Sequence, residues 1–372
     1  MRLRLVAVWA AALAAAAPAQ AAPRVDARAY LLENAGTGEV LLRRDERDRV
    51  PIASITKLMT VLVALEHARP ADLVTVGPGA SSVGESTVHL QPGEQLTVRD
   101  LVEAALIQSA NDAANALADH VGEGDRERFV ALMNERADAL GLRDTHFVRP
   151  DGLDVAGHYS SARDVTTLAR AAMRSPLVRD IVRRRTETIA GGRRLHTWND
   201  LLGSFPGLIG VKTGHTSAAG WCQVAAATGR GVTVYATVLG SPTRAGRNED
   251  LAELLAWGIS RYRVAALVEP RRVYARAEAP YGRAPLALVA AKPLVRVVRV
   301  GRPLVERVVA PAAVELPVRR GQQLGWVRLY DRGRLVGARP LVAARTIERP
   351  GLGGRVAWYA ERTLHHLGGL FS

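Results

Sequence analysis

Residues 51–60 read PIASITKLMT, and they hold the most informative pattern of the chain. Pro51 is typical of the first turn of a helix, so we predict an apolar helix over residues 52–67. Ser54 and Lys57 are three residues apart and would share one face of that helix. A serine hydroxyl becomes a useful nucleophile only when a base takes its proton, and a desolvated lysine can be that base. The pattern predicts a nucleophile and its base, although this spacing also occurs by chance in most proteins.

The scarcity of lysine gives Lys57 further weight. The chain has 50 Lys and Arg residues, but its only lysines are Lys57, Lys212 and Lys292. Arginine stays charged at any working pH, whereas a buried lysine can lose its proton and act as a base. A lysine retained in such a chain is therefore a candidate for chemistry that arginine cannot perform.

Two further motifs follow along the chain. Ser109-Ala110-Asn111 lies between a helix predicted from the Thr97 and Asp100 capping box to residue 107 and a helix predicted over residues 112–121. Lys212-Thr213-Gly214-His215 precedes a strand. By itself Ser109-Ala110-Asn111 fits a helix cap, and Lys212-Thr213-Gly214 fits a turn with an exposed lysine. Each of the three patterns occurs once, in the order SxxK, SxN, KTG, and this makes the purely structural interpretations improbable.

The three motifs together are the signature set of penicillin-binding proteins and serine β-lactamases. The chain resembles, over nearly its whole length, a low-molecular-mass penicillin-binding protein of the D-alanyl-D-alanine carboxypeptidase type. The resemblance implies an α/β (α+β) domain of the β-lactamase/transpeptidase type, with an antiparallel sheet flanked by helices. It also implies a small β-sandwich after that domain.

The resemblance implies acyl transfer through a covalent intermediate, inhibited by β-lactams. The catalytic residues would be Ser54 as nucleophile, Lys57 as its base, and Ser109 as a proton relay to the departing D-alanine. The residues that would bind the peptidoglycan stem peptide are Asn111, Lys212, Thr213, Gly214, His215 and Arg247. The backbone N–H groups of Ser54 and His215 would form the oxyanion hole, and the positive potential of Lys212 would help to keep Lys57 neutral. No metal or cofactor is implied, and His146 and His158 are assigned no chemistry.

Three alternatives stay open. A class A β-lactamase needs a glutamate that activates the deacylating water, and no matching segment can be placed after Ser109. A peptidoglycan DD-endopeptidase would share all three motifs. A non-catalytic protein that binds penicillin or wall peptides is disfavoured because the reactive residues are all present.

Composition excludes several other classes. One cysteine, Cys222, excludes an intramolecular disulfide and a cysteine-rich metal site, and its apolar surroundings suggest the core of a strand. The formal charge is +14, but the arginines are scattered through both halves, so we expect no nucleic-acid partner. Attraction to anionic lipid or to an acidic wall polymer fits this charge better.

The two ends of the chain predict its location. Residues 1–21 have a charged start, an apolar run and an Ala-Gln-Ala cleavage pattern, which predict a signal peptide. Residues 347–372 comprise a glycine-rich linker followed by an amphipathic helix over residues 355–371, which could lie on a membrane surface or dock on its own domain. We therefore expect an exported enzyme, held peripherally at the periplasmic face of the bacterial inner membrane.

Between these ends we expect two domains, residues 22–262 and 263–346. In the first, residues 29–32 and 40–42 predict a hairpin, residues 220–228 and 232–240 predict adjacent strands, and residues 251–262 predict a closing helix. In the second, a strand at residues 294–300 and a hairpin over residues 324–341 predict the β-sandwich.

Overall fold

The computed structural model describes residues 21–368. All but the last residue of the predicted signal peptide, and the end of the predicted tail helix, lie outside the described residues. The described chain forms two compact units, of which one ends at Tyr262 and the other begins at Arg263. The helices are α1 (Lys57–His67), α2 (Pro78–Ser81), α3 (Val98–Glu103), α4 (Asn111–Val121), α5 (Arg126–Ala139), α6 (Ala162–Ala172), α7 (Pro176–Ile181), α8 (Arg244–Ser260) and α9 (Leu352–Gly368).

The first unit is organised around an antiparallel sheet with the strand order β2-β1-β9-β8-β7. Two short two-stranded antiparallel sheets, β3-β4 and β5-β6, lie outside this sheet. The strands of this unit are β1 (Ala29–Asn34), β2 (Val40–Arg44), β3 (Leu73–Thr75), β4 (Gln95–Thr97), β5 (Thr186–Ile189), β6 (Arg193–His196), β7 (Leu208–Thr216), β8 (Gly220–Gly229) and β9 (Val232–Ser241). The expected antiparallel sheet is confirmed, including the hairpin of β1 and β2 and the adjacent strands β8 and β9.

Helices cover both faces of this sheet. Neighbouring residues of β1 show this, since their side chains point to opposite faces. Leu31 pairs with Thr237, and the Thr237 hydroxyl hydrogen bonds Thr166 of α6 at 2.7 Å. On the other face, the side chain of Leu32 lies against Gly258 of α8, where a Cβ atom would come within 3.1 Å of it. The site described below lies at the β7 edge, where helices α1 and α4 begin.

Three predicted helices of the first unit differ from the structure. The helix expected over residues 52–67 begins as a 3₁₀ turn, Ala53–Thr56, before α1. The predicted capping box of Thr97 and Asp100 is present, but α3 is followed by a π-helical turn, Ala104–Gln108.

The closing helix α8 begins at Arg244, and the prediction of its start at residue 251 was wrong. The Thr243 side chain caps α8 by accepting a hydrogen bond from the N–H of Gly246. The first two turns carry several charged residues, which concealed their helical periodicity. Tyr262 opens a strand and does not end this helix.

The second unit is all-β apart from its terminal helix, which confirms the expected β-domain. Its sheets have the strand orders β11-β12-β16-β15-β14 and β10-β13. The strands are β10 (Tyr262–Val268), β11 (Val273–Ala277), β12 (Leu286–Ala290), β13 (Leu294–Arg299), β14 (Val305–Val309), β15 (Gln323–Asp331) and β16 (Arg334–Ala343). A core of its own, containing Leu286, Leu288, Val327 and Leu341, packs between them.

The terminal helix α9 begins at Leu352, three residues earlier than predicted, because Gly353 and Gly354 are helical despite their low propensity. No helix among the described residues is long and apolar enough to cross a membrane.

Candidate active site

The 3₁₀ turn Ala53–Thr56 places Ser54 at the entrance to α1. Ala53, immediately before Ser54, has a φ of 49°, a left-handed conformation that is uncommon for a residue with a side chain. Such backbone conformations persist only where the surroundings enforce them, and they cluster at functional sites. The turn therefore holds the Ser54 hydroxyl in one defined position.

Lys57 is completely buried next to Ser54. Its Nζ atom lies 2.8 Å from Ser54 Oγ, 2.7 Å from Asn111 Oδ1 and 2.7 Å from the carbonyl oxygen of Asp151. Burial lowers the pKa of Lys57 from 10.5 to about 8, against the opposing effect of the Asp151 carboxylate.

The three contacts of Lys57 suit a neutral amine as well as an ammonium group. A neutral amine has two N–H donors and one lone pair. The Asn111 and Asp151 oxygens can only accept hydrogen bonds, so they would take the two donors. The lone pair would then face Ser54 Oγ, which is the geometry that a general base requires.

Ser109 has an unusual backbone conformation. It ends the π-helical turn and has left-handed angles, with φ 65° and ψ 30°. Its hydroxyl accepts a hydrogen bond of 2.8 Å from Lys212 Nζ, which also donates to the Thr213 carbonyl oxygen at 2.8 Å. Burial lowers the pKa of Lys212 well below its ordinary value, and the charges of Lys57 and Arg247 lower it further.

Asn111 is the first residue of α4 and is buried. Its Oδ1 atom accepts from Lys57, while its Nδ2 atom donates to the Gly84 carbonyl oxygen at 2.9 Å. The side chain thus connects Lys57 to the loop between α2 and β4.

Strand β7 carries the third motif along the edge of the sheet. At Gly214 an added Cβ would lie 2.8 Å from the carbonyl oxygen of Ile52 and 3.1 Å from the backbone nitrogen of Ser54. Only glycine allows this approach without displacing the turn Ala53–Thr56. His215 pairs with Trp221 across the β7–β8 hairpin, and their rings lie 4.0 Å apart.

Arg247 projects from the first turns of α8 and has only 1% of its area exposed. Its guanidinium bonds the Asp200 carboxylate at 3.1 Å and lies over the ring of Trp221. Burial lowers its pKa from 12.5 to about 10, so this side chain remains a cation at neutral pH.

These elements surround a pocket of about 280 Å³. Seven of the predicted site residues line it, and Lys57 and Lys212 lie beneath it, bonded to Ser54 and Ser109. The seven are Ser54, Ser109, Asn111, Thr213, Gly214, His215 and Arg247.

Five lining residues were missed by the sequence analysis: Glu85, Ser86, Trp198, Trp221 and Arg244. The hairpin register could have identified Trp221, because that residue lies opposite His215. Nothing in the sequence pattern marks the other four.

A second group of buried residues stabilises the turn Ala53–Thr56. His158 is buried, its Nε2 atom lies 2.8 Å from Thr56 Oγ1, and its Nδ1 atom accepts from the N–H of Val148. Thr56 Oγ1 in turn donates to the carbonyl oxygen of Ala53 at 2.8 Å. Burial lowers the pKa of His158 to about 4, so the ring is neutral and has a positioning role.

Replacing Gly152 should damage this support. Gly152 has a φ of 84°, and a Cβ there would come within 2.1 Å of the Ala53 carbonyl oxygen. Gly152→Ala should therefore cost at least about 3 kcal/mol in the free energy of unfolding and should slow acylation of Ser54. Urea denaturation and the rate of labelling by a fluorescent penicillin would measure both effects.

Gly93→Ala is the matched control for that substitution. Gly93 has a similar φ of 82°, but nothing lies within 4 Å of an added Cβ. It should cost only about 1 kcal/mol and leave labelling intact. Equal losses at the two positions would show that the Gly152 contact does not hold the nucleophile.

The described residues contain neither a metal site nor a reactive thiol. Among the described residues, no group of histidine, cysteine, aspartate and glutamate is arranged to hold a metal ion. Cys222 is fully buried in β8, and burial raises the pKa of its thiol to about 12, so it is a core residue and not a nucleophile.

Comparison with known proteins gives consistent matches. The Peptidase S11 family, D-alanyl-D-alanine carboxypeptidase, matches residues 15–243. The D-alanyl-D-alanine carboxypeptidase DacA of Escherichia coli (strain K12) is 31% identical over 360 residues, which cover 92% of this chain and 89% of that protein.

Two solved structures extend the comparison. Penicillin-binding protein 5 from Haemophilus influenzae is 27% identical, covers 89% of this chain and all of its own, and has a TM-score of 0.65. The Streptomyces K15 DD-transpeptidase is 33% identical, covers 65% of this chain and all of its own, and has a TM-score of 0.62.

Proposed function

Since the chain belongs to the D-alanyl-D-alanine carboxypeptidase family, we propose that Ser54 and Lys57 form its nucleophile–base pair and that its substrate is a peptidoglycan stem pentapeptide. The chain is a serine-type carboxypeptidase that removes the terminal D-alanine through an acyl-enzyme. The observation that supports the assignment of residues best is the 2.8 Å contact between Ser54 Oγ and the buried amine of Lys57.

Binding of the peptide's terminal carboxylate precedes acylation. The cationic side chains of Lys212 and Arg247, with the hydroxyl of Thr213, bind the carboxylate of the terminal D-alanine. The negative charge of the bound substrate carboxylate favours the ammonium form of Lys212. The positive charge of Lys212 then repels a proton on Lys57, so substrate binding and activation of the base favour each other.

Proton transfers then accompany bond making and bond breaking. Ser54 Oγ attacks the carbonyl carbon between the two terminal D-alanines, and its proton passes to Lys57. The C–N bond breaks as Ser109 donates a proton to the nitrogen of the departing D-alanine, and Lys212 returns a proton to Ser109. The contact of 2.8 Å between Lys212 and Ser109 supports this relay.

The oxyanion that forms on the scissile carbonyl requires two donors. The backbone N–H groups of Ser54 and His215 are the proposed pair, and the close approach of Gly214 to the Ser54 nitrogen supports their convergence. One such donor typically contributes about 3 kcal/mol to the transition state. Water then attacks the ester and gives its proton, through Ser109, to the neutral Lys212, while Lys57 returns its proton to Ser54 Oγ as the ester C–O bond breaks. A β-lactam acylates Ser54 in the same way.

The proposed substrate is tested with the purified mature protein. A pentapeptide that ends in D-Ala-D-Ala should release one D-alanine per molecule, because the pocket binds a free terminal carboxylate next to the scissile bond. Coupled D-amino acid oxidase would quantify the product. Cleavage of cross-linked stem-peptide dimers without release from the pentapeptide would instead indicate a DD-endopeptidase.

The terminal helix supports a peripheral position at the periplasmic face of the inner membrane. Leu352, Val356 and Tyr359 follow the i, i+4, i+7 spacing of one helix face and are 75%, 67% and 58% exposed. The rings of Trp358 and Tyr359 lie 5.5 Å and 6.4 Å from Tyr281 of the same unit, so the helix touches its own domain there. The apolar stripe nevertheless stays more than half exposed, which fits insertion into the boundary of a bilayer.

Removal of residues 352–372 should move the protein from the membrane to the soluble fraction of cells. The point variant Val356→Asp should weaken membrane association in the same direction, since it places a charge on the apolar stripe. Leu335→Asp, at an exposed apolar position in β16, is the control and should leave the distribution as it is. An unaltered distribution of the truncated protein would refute the anchor.

A further inference from the structure

Glu85 gives the active-site pocket an acidic side. It is the one acidic residue among the described residues that line the pocket, while Arg244 and Arg247 line it as cations. Both arginines already bind Asp200, whereas the Glu85 carboxylate has no ion-pair partner in the described part of the chain. The exposed carboxylate is thus available to a ligand that enters the pocket.

The backbone of Glu85 is fixed from both sides. The carbonyl oxygen of Gly84 accepts from Asn111 Nδ2 at 2.9 Å, and that of Ser86 accepts from the Asn111 N–H at 2.7 Å. The Ser86 hydroxyl also donates to the Gln108 carbonyl oxygen at 2.9 Å. Glu85 itself has a φ of 65°, which is uncommon for a glutamate. The segment is therefore tied to the SxN motif, and Glu85 is held at the side of the pocket that Asn111 occupies.

The charges of the pocket are divided between two sides. Glu85 follows Gly84, whose carbonyl oxygen accepts a hydrogen bond from Asn111, whereas Arg247 lies over the ring of Trp221, which pairs with His215 of β7. In the proposed function the carboxylate of the substrate lies at Lys212 and Arg247, while Asn111 holds the amide on the acyl side of the scissile bond. The acyl side of the substrate therefore passes close to the Glu85 carboxylate.

We propose that Glu85 is a specificity-determining residue that binds an ammonium group on the acyl side of the scissile bond. This inference rests on the proposed function. The ammonium could be a side-chain amine of the residue before D-Ala-D-Ala or the α-amine of a short peptide. Both would place a positive charge opposite a carboxylate that has no ion-pair partner among residues 21–368.

Three tripeptides ending in D-Ala-D-Ala distinguish these sources. Their first residue is lysine with a free ε-amine and acetylated α-amine, with the reverse pattern, or with both amines acetylated. A peptide whose free ammonium reaches Glu85 should have a kcat/KM about fivefold above that of the diacetylated peptide at low salt, and the preference should shrink at high salt. The arm that shows the preference identifies the amine.

Variants of Glu85 test the assignment. Glu85→Gln should reduce the ratio of kcat/KM between the free-amine peptide and the diacetylated peptide to about one, and it should remove the salt dependence of that ratio. Glu85→Lys should bring the ratio below one. Glu123→Gln is the matched control, because Glu123 also has a positive φ of 58° but lies outside the pocket, so the preference should persist.

Two results would overturn the inference alone: D-alanine release with no preference in the wild type, or a preference that Glu85→Gln retains. Absence of D-alanine release from every peptide would contradict the proposed function itself, and with it the inference.

Discussion

Lys57→Arg should abolish acylation even though it conserves the positive charge. We expect the rate of labelling by a fluorescent penicillin, and of D-alanine release, to fall at least about 10³-fold. The reason is that Lys57 must lose a proton in order to accept the one from Ser54. Burial brings the pKa of the lysine to about 8, within reach of neutral pH, whereas a guanidinium stays protonated.

The controls for this substitution come from the chain itself. Lys292→Arg alters the exposed third lysine in the β-domain and should leave labelling intact. Lys57→Gln removes the base without adding the bulk of a guanidinium, and it should be as inactive as Lys57→Arg. Thermal unfolding would verify that each variant is folded. Retained labelling of folded Lys57→Arg would contradict the role of Lys57 as the base.

Ser54→Ala should have the largest effect of any single substitution in the site. Without the hydroxyl no acyl-enzyme can form, so penicillin labelling should disappear and D-alanine release should fall at least about 10⁴-fold. The substitution removes one oxygen atom from a half-buried residue and leaves the turn Ala53–Thr56 its hydrogen bond from Thr56 Oγ1 to the Ala53 carbonyl oxygen. The fold should therefore survive.

Peptide binding to Ser54→Ala distinguishes the loss of the nucleophile from a general disruption of the site. The proposed carboxylate contacts of Lys212, Thr213 and Arg247 remain in Ser54→Ala. A D-Ala-D-Ala peptide should therefore still raise the thermal unfolding temperature of this variant. Turnover by Ser54→Ala at the wild-type rate would show that another residue is the nucleophile.

Much of the site could be predicted from the sequence because its chemistry depends on residue types at fixed spacings. Ser54 and Lys57 meet through the periodicity of one helix turn, and the three motifs led to the expected antiparallel sheet and β-domain. The hairpin of β8 and β9 likewise follows from two apolar runs on either side of a short turn.

Other features depend on tertiary contacts that no local pattern reports. The left-handed backbones of Ala53 and Ser109 exist because the surrounding structure holds them, and neither residue type signals that conformation. The Asp151 carbonyl reaches Lys57 from a segment that contains none of the three motifs. Glu85 enters the pocket through a loop tied to Asn111, so only the folded chain relates the two residues.

The most direct test of Ser54 as the acylated residue is to locate the penicillin adduct. Trypsin cuts after Arg49 and Lys57, so residues 50–57 form one peptide whose only hydroxyl side chains are Ser54 and Thr56. Mass spectrometry of the labelled wild type should find the adduct on this peptide, with fragmentation placing it on Ser54, and Ser54→Ala should carry none. An adduct on Thr56, on Ser109 or on any other peptide would contradict the account.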